Sequence, residues 1–314
     1  MRLVSFRVGA HCSWGAVVGD GVVDLRARLG YPSLLAALQA DALPAIFAKI
    51  AEVLEADHSL DSIQYLPVIG EPGQIICVGL NYHEHQVETR RDNTSHPTIF
   101  ARYGRSQVGH GAAILRPPES VMLDYEGELA LIIGAHARRI SVEDALSVIA
   151  GYACYNDASV RDFQRHTTQF HPGKNFPATG AFGPWMVTTD EVPDPSELSI
   201  ETRLNGSVMQ SASLRQLIFP IPELIAYCST FTELRPGDVI VTGTPGGVGA
   251  ARKPPVWMKE GDRVEVDIAG VGRLENLVLD EAASPGEALG HERASPDITR
   301  GRLNVTPSGD VSCN

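Results

Sequence analysis

Lysine is scarce in this chain. Four lysines (Lys49, Lys174, Lys253, Lys259) serve 314 residues, and no run of Lys and Arg forms a basic patch. With a net charge of -12, this argues against a nucleic-acid partner. The five cysteines (Cys12, Cys77, Cys154, Cys228, Cys313) are scattered and show no Cys-x-x-Cys spacing. A zinc knuckle is therefore excluded, and a reducing compartment is expected. No apolar run reaches the roughly 20 residues of a membrane span. The start, Met1-Arg2-Leu3-Val4-Ser5, alternates like a strand rather than opening a signal peptide, so the expectation is a cytoplasmic protein with no membrane partner. Also missing are a Gly-x-Ser-x-Gly elbow, a His-Glu-x-x-His helix and the glycine spacing of phosphate or dinucleotide loops. Serine hydrolase, zinc protease and nucleotide-dependent enzyme thus lack their usual signatures.

What is present reads as short strands between Gly/Pro turns. Residues 1–70 suggest a small β-rich N-terminal domain with a helix. Val17–Leu25 reads as strand, Gly-Asp-Gly turn and strand, and the helical periodicity of Leu34–Leu54 is interrupted by Pro44. A Pro/Gly connector, Leu66–Gly73, marks the boundary. Residues 71–283 carry strands at Ile75–Val78, Ala113–Leu115, Leu129–Ile133, Trp185–Thr188, Asp238–Val241 and Arg263–Ile268. Helices are expected at Ser141–Ile149, opened by an N-cap serine, and at about Pro222–Thr232. The lack of regular βα alternation argues against a Rossmann sheet or a TIM barrel. The fold class expected is mainly β with some α, a mixed β-roll. Residues 284–314 lose all periodicity and read as a flexible C-terminal tail.

The chemistry concentrates at Leu123-Asp124-Tyr125-Glu126-Gly127-Glu128-Leu129-Ala130-Leu131-Ile132-Ile133. Glu126 and Glu128 are two apart in a strand pattern and so share a face, while the apolar run that follows implies burial. Two like charges on one buried face need a partner, and a hard divalent cation with oxygen ligands is the simplest. Asp157, at the polar end of the strand Gly151–Asn156, could complete a three-carboxylate site for Mg²⁺ or Mn²⁺. The competing reading is a wet edge strand with Asp157 capping a turn.

A second constellation is Gly79-Leu80-Asn81-Tyr82-His83-Glu84-His85-Gln86-Val87-Glu88. His85 and Glu88 are three apart and share a helical face, the arrangement of a carboxylate-oriented general base. His83 competes for the role, and a solvated turn is the plainer alternative. Lys174, in His171-Pro172-Gly173-Lys174-Asn175-Phe176-Pro177, could donate to a developing oxyanion or simply face solvent. The turn Thr242-Gly243-Thr244-Pro245-Gly246-Gly247 can bring backbone N–H groups and the Thr244 hydroxyl to an anion.

Together these segments resemble the fumarylacetoacetate hydrolase family. The matching pieces, in order, are Gly79-Leu80-Asn81-Tyr82-x-x-His85-x-x-Glu88, Asp124-Tyr125-Glu126-Gly127-Glu128-Leu129, Asn156-Asp157, Gly173-Lys174-Asn175-Phe176, Gly183-Pro184-Trp185 and Thr242-Gly243-Thr244-Pro245. The resemblance implies a β-roll catalytic domain behind a small N-terminal α+β domain, a homodimer, and one Mg²⁺ or Mn²⁺ on Glu126, Glu128 and Asp157. It assigns the water-activating pair to His85 and Glu88 and places Lys174, Tyr82 and Thr244 against the substrate. The chain reads Phe100-Ala101-Arg102-Tyr103-Gly104-Arg105 where many members have Phe-x-Lys-Pro, so Arg102 and Arg105 are candidates to hold a second substrate carboxylate. The activity implied is hydrolysis of a carbon–carbon bond in a β-diketo acid of the acylpyruvate type, in aromatic catabolism, on a dicarboxylic keto acid. The alternative is decarboxylation or isomerisation of oxaloacetate-like or 2-hydroxydienedioate acids, with non-catalytic keto-acid or metal binding last.

Overall fold

The computed structural model describes residues 1–53, 55–89 and 95–282. The chain divides into two units, Met1–Glu281 and Ala282–Asn314. The expected tail therefore lies outside the described residues.

Strands dominate. In the twelve-stranded sheet, Gly127–Ile133 is central, flanked by Ile149–Asn156 on one side and Val239–Val241 on the other. Outward from Ile149–Asn156 come Gly180–Thr188, Arg2–Val8, His11–Val18 and Gly21–Asp24. On the other side lie Ile75–Gly79 and Thr98–Arg102. Most neighbours are antiparallel, but Val239–Val241 runs parallel to Ile75–Gly79, so the sheet is mixed. Arg2–Val8 joins Gly180–Thr188 through Arg2↔Val187 and Leu3↔Met186, which makes the N-terminal hairpin continuous with the sheet that carries the site.

A second sheet of five strands contains Ser199–Leu204, Ser207–Ser213, Arg263–Ile268, Gly272–Asp280 and Ile114–Arg116. The strand Gly127–Ile133 is buried along its whole length because it lies between two apolar clusters. Leu129, Leu131 and Ile133 pack with Ile200, Val264, Val266 and Leu274 of the second sheet. Ala130 and Ile132 face Cys77, Ala153, Tyr155 and Phe182. A run apolar on both faces is what such a doubly covered strand requires.

Pro44 splits the N-terminal helical pattern into Leu34–Gln39 and Leu43–Ala51, where it occupies the first turn and its missing N–H costs nothing. The expected helix over Pro222–Thr232 is Ile221–Phe231. The helix expected over Ser141–Ile149 does not form. Ser141 Oγ accepts the Asp144 N–H at 3.2 Å, a local turn, and only a 3₁₀ segment, Ala145–Val148, follows. Ile149 already belongs to a sheet strand, and the Val148 carbonyl accepts the Gly134 N–H at 2.7 Å. Sheet pairing takes the backbone groups that a longer helix would need.

Candidate active site

Antiparallel pairing assembles the carboxylates. Gly127 opposes Asn156 and Glu128 opposes Tyr155, which sets Asp157, one residue past its strand, beside Glu126. The Asp157 N–H donates to the Glu126 carbonyl at 2.8 Å, and the Glu126 N–H donates to Asn156 Oδ1 at 3.0 Å. Glu126 itself lies between the short strand Leu123–Asp124 and Gly127–Ile133 rather than inside a continuous strand. Gly127 is required at this point, because a Cβ there would sit 2.0 Å from Thr202 Oγ1 of the second sheet. One oxygen each from Glu126, Glu128 and Asp157 lie within 4.8 Å of one another, and all three residues are buried.

Buried cations surround the triad. Lys174 Nζ lies 2.5 Å from both Glu126 Oε2 and Asp157 Oδ2 and 3.1 Å from the Asp157 carbonyl. Arg102 NH1 donates to Asp157 Oδ1 at 2.6 Å. Arg161 Nε donates to Asp124 Oδ2 at 2.8 Å. Its NH2 lies 2.6 Å from Glu126 Oε1, a close ion contact that lacks the angle of a directed hydrogen bond. Four buried carboxylates, Asp124 included, thus face three buried cations, leaving one excess negative charge.

That excess falls on Glu128. Among the described residues its one hydrogen bond comes from the Gly243 N–H, at 2.6 Å. Burial, reinforced by Asp157 and Glu126, pushes its carboxyl well above the usual carboxylate range. Burial alone would also raise Glu126, but Arg161, Lys174 and His85 outweigh it and hold that carboxyl low. Burial lifts Asp124 against the pull of Arg161 and the Ala250 N–H. An all-oxygen buried triad with an uncompensated charge fits a hard divalent cation, which would also leave the pocket positive toward an anionic ligand.

His85 and Glu88 lie on the helix His83–Thr89. His85 Nδ1 is 2.7 Å from Glu88 Oε1, and Glu88 Oε2 accepts the Gly247 N–H at 2.8 Å. His85 is buried, whereas His83 is exposed. Both members of the pair, all three triad carboxylates, Lys174 and Thr244 line one cavity of about 300 Å³. Asp124 ties this cavity to the Gly-rich turn by accepting the N–H groups of Gly249 and Ala250 at 2.8 and 3.0 Å.

Three expected substrate contacts are placed elsewhere. Tyr82 is buried in a backbone bridge to Leu217 and is absent from the cavity wall. Arg102 spends its guanidinium on Asp157, Thr179 and Ser106. Arg105 is exposed on the 3₁₀ turn Gly104–Ser106, outside the cavity. Thr244 does reach the cavity, but its hydroxyl donates to the Gly127 carbonyl at 3.0 Å and accepts from Gln210 Nε2 at 2.7 Å. Lys174, read as a loop residue that could face solvent, is buried at the end of the helical turn His171–Lys174, with its ammonium 4.9 Å from the Phe100 ring centre. Arg161 was missed. Its signal was faint: a single arginine four residues after Asp157, whose partners Asp124 and Glu126 lie more than thirty positions away.

The chain matches the family described as fumarylacetoacetate (FAA) hydrolase, C-terminal, over residues 74–279. It belongs to the fumarylacetoacetate hydrolase family. Among curated members of that family, a mitochondrial oxaloacetate tautomerase of Bos taurus is 37% identical over 288 residues, covering 89% of this chain and 92% of the relative. A human mitochondrial oxaloacetate tautomerase is 37% identical over 299 residues with the same coverage. Among solved structures, a putative HpcE protein from Mycobacterium smegmatis superposes with a TM-score of 0.81 at 33% identity, covering 89% of this chain and 99% of that one. A maleylpyruvate hydrolase from Sphingobium sp. SYK-6, in complex with manganese(II) and pyruvate, gives 0.74 at 30% identity, with coverages of 89% and 99%. These curated relatives are named as tautomerases, not as hydrolases of carbon–carbon bonds, which moves the weight from the expected hydrolysis to the alternative chemistry on oxaloacetate-like acids.

Proposed function

We propose that the protein interconverts the keto and enol forms of an oxaloacetate-like 2-oxo dicarboxylic acid. The observation that carries this reading is the His85–Glu88 pair sharing one small cavity with the carboxylate triad. A divalent cation, Mg²⁺ or Mn²⁺, held by Glu126, Glu128 and Asp157 would polarise the 2-oxo group and its neighbouring carboxylate. His85, with Nδ1 fixed by Glu88, presents Nε2 as the base that takes a proton from C3 and returns it at O2. Lys174 keeps positive charge next to the triad, where the C2 oxygen becomes anionic. The cavity is at the small end of ligand pockets, which suits a short acid.

The test follows decay of the oxaloacetate enol by its ultraviolet absorbance, with Mg²⁺ or Mn²⁺ and with a chelator. Acceleration over buffer that the chelator removes is expected, and a folded, cation-loaded protein that gives none refutes the reading. Hydrolysis of an acylpyruvate is the second reading, favoured by the likeness to the maleylpyruvate hydrolase and by a base that could equally activate water. Pyruvate release from such a substrate decides for it.

We propose a homodimer as the assembly, supported by the exposed apolar side chains Val142, Leu146 and Phe231 and tested by light scattering. Among the described residues no helix is long and apolar enough to cross a membrane. Cys12, Cys77, Cys154 and Cys228 are free thiols, as a reducing compartment allows, the cytosol or the mitochondrial matrix alike. Cell fractionation distinguishes them.

A further inference from the structure

The position of Arg102 and Arg105 off the cavity wall leaves the second carboxylate of a dicarboxylic substrate without its expected partner. Among the described residues three cations line the cavity: Arg161, Lys174 and Arg165. Arg161 is engaged by Asp124 and Glu126, and Lys174 by Glu126 and Asp157, all within 2.8 Å. Arg165 differs. Its backbone N–H closes the short helix Arg161–Gln164 by donating to the carbonyls of Arg161 and Asp162, while its side chain is exposed and has no carboxylate partner among the described residues. Four residues past Arg161, it shares that residue's helical face and stands one turn further along the wall. Phe100, Phe170, Val248 and Ala251 supply other parts of the lining without charge.

A 2-oxo acid bound at the triad places its far end away from the buried floor. Among the described residues, an anionic far end then meets a single uncommitted cation. We infer that Arg165 reads the distal carboxylate of a 2-oxo dicarboxylate and so makes the site prefer dianionic over monoanionic keto acids. This inference rests on the keto–enol reading of the same cavity. A guanidinium suits the role, because its planar fork can donate two parallel hydrogen bonds to a carboxylate.

The experiment compares oxaloacetate with phenylpyruvate, a monocarboxylate whose enol is also seen by ultraviolet absorbance, in wild type, Arg165→Gln, Arg165→Lys and Arg105→Gln. Arg165→Gln should raise the ratio of KM for oxaloacetate to KM for phenylpyruvate by about tenfold or more, the worth of a charge-assisted contact. Arg165→Lys should recover part of the loss, and Arg105→Gln, outside the cavity, should leave the ratio unchanged. Equal KM increases for both substrates, or none for oxaloacetate, overturn the assignment. If the wild type accelerates neither substrate, the keto–enol reading fails separately. Calorimetric titration of oxaloacetate and pyruvate into the Mg²⁺-loaded protein then reads Arg165 directly. Weaker binding of oxaloacetate alone in Arg165→Gln upholds the inference, and any other pattern refutes it.

Discussion

Replacing Glu128 by Gln should stabilise the chelated protein at neutral pH. This outcome runs against the usual cost of altering a buried charged residue, and it follows from the charge count around the triad. Among the described residues Glu128 has no cation within hydrogen-bond reach and takes a single N–H, from Gly243, which the Gln carbonyl oxygen can accept equally well. Its carboxyl is raised well above its ordinary value, first by burial and then by Asp157 and Glu126. The folded protein therefore holds a proton that the unfolded chain has released, and stability falls as pH rises from the ordinary glutamate range until the folded-state value is passed. Each pH unit in that window costs about 1.4 kcal/mol. For a protein of this size that is roughly 2 °C of melting temperature per unit.

Calorimetric melts in EDTA from pH 4 to 8 should show wild type and Glu128→Gln together at the acid end and the variant increasingly above wild type toward neutrality. Added Mn²⁺ should reverse the order, since a ligand at 100 times its dissociation constant adds about 2.7 kcal/mol to a protein that binds it. Glu126→Gln is the internal contrast. Glu126 is held low by Arg161 and Lys174 against burial, so its contribution is present above the ordinary glutamate range and is lost as pH falls through the folded-state value. Arg161 keeps Asp124 and Lys174 keeps Asp157, so the cost should stay below the roughly 3–5 kcal/mol of a fully unpaired buried charge. A chelated Glu128→Gln protein that melts at or below wild type at pH 7 would falsify the charge count.

Other outcomes follow from the same geometry. His85→Ala should lower the rate constant for enol decay by about 10²–10⁴-fold while leaving Mn²⁺ binding by calorimetry intact, and unchanged turnover would remove His85 from the reaction. Gly127→Ala drives a methyl into Thr202 Oγ1 and should cost about 1–3 kcal/mol in denaturant unfolding. Adding Thr202→Ala should return part of that loss, whereas additive destabilisation would show that the contact is not the cause. Lys174→Met leaves Glu126 and Asp157 without their shared ammonium, so the chelated melting temperature should fall while divalent cation restores more of it than in wild type.

Much of the site was legible because it depends on local spacing. The three-residue step from His85 to Glu88 holds on its helix, and Glu126 and Glu128 do meet, although Glu126 lies just outside the strand that the two-residue step assumed. The strands of the central sheet were legible for the same reason, as apolar runs bounded by turns. Arg161 and Arg102 were not, since their partners Asp124, Glu126 and Asp157 are fixed only when distant strands pair. Ser141–Ile149 failed in the same way. Ser141 accepts the Asp144 N–H, but in a local turn that caps no helix, because the sheet competes for the backbone that follows.

The Gly-rich turn is hung at two points: Gly247 on Glu88 and Gly249 with Ala250 on Asp124, whose other contact, Arg161, reaches Glu126. Base and cation ligands are therefore linked by one continuous chain of contacts, and its span is set by the number of residues between the two anchor points. Neither anchor glycine admits a side chain, since a Cβ would sit 2.2 Å from the Met209 carbonyl oxygen at Gly247 and 2.0 Å from the Val256 carbonyl oxygen at Gly249. A residue inserted or deleted between Gly247 and Gly249 would displace the proton-moving end and the cation-binding end of the cavity together, so chain length here is held as tightly as the two glycines themselves.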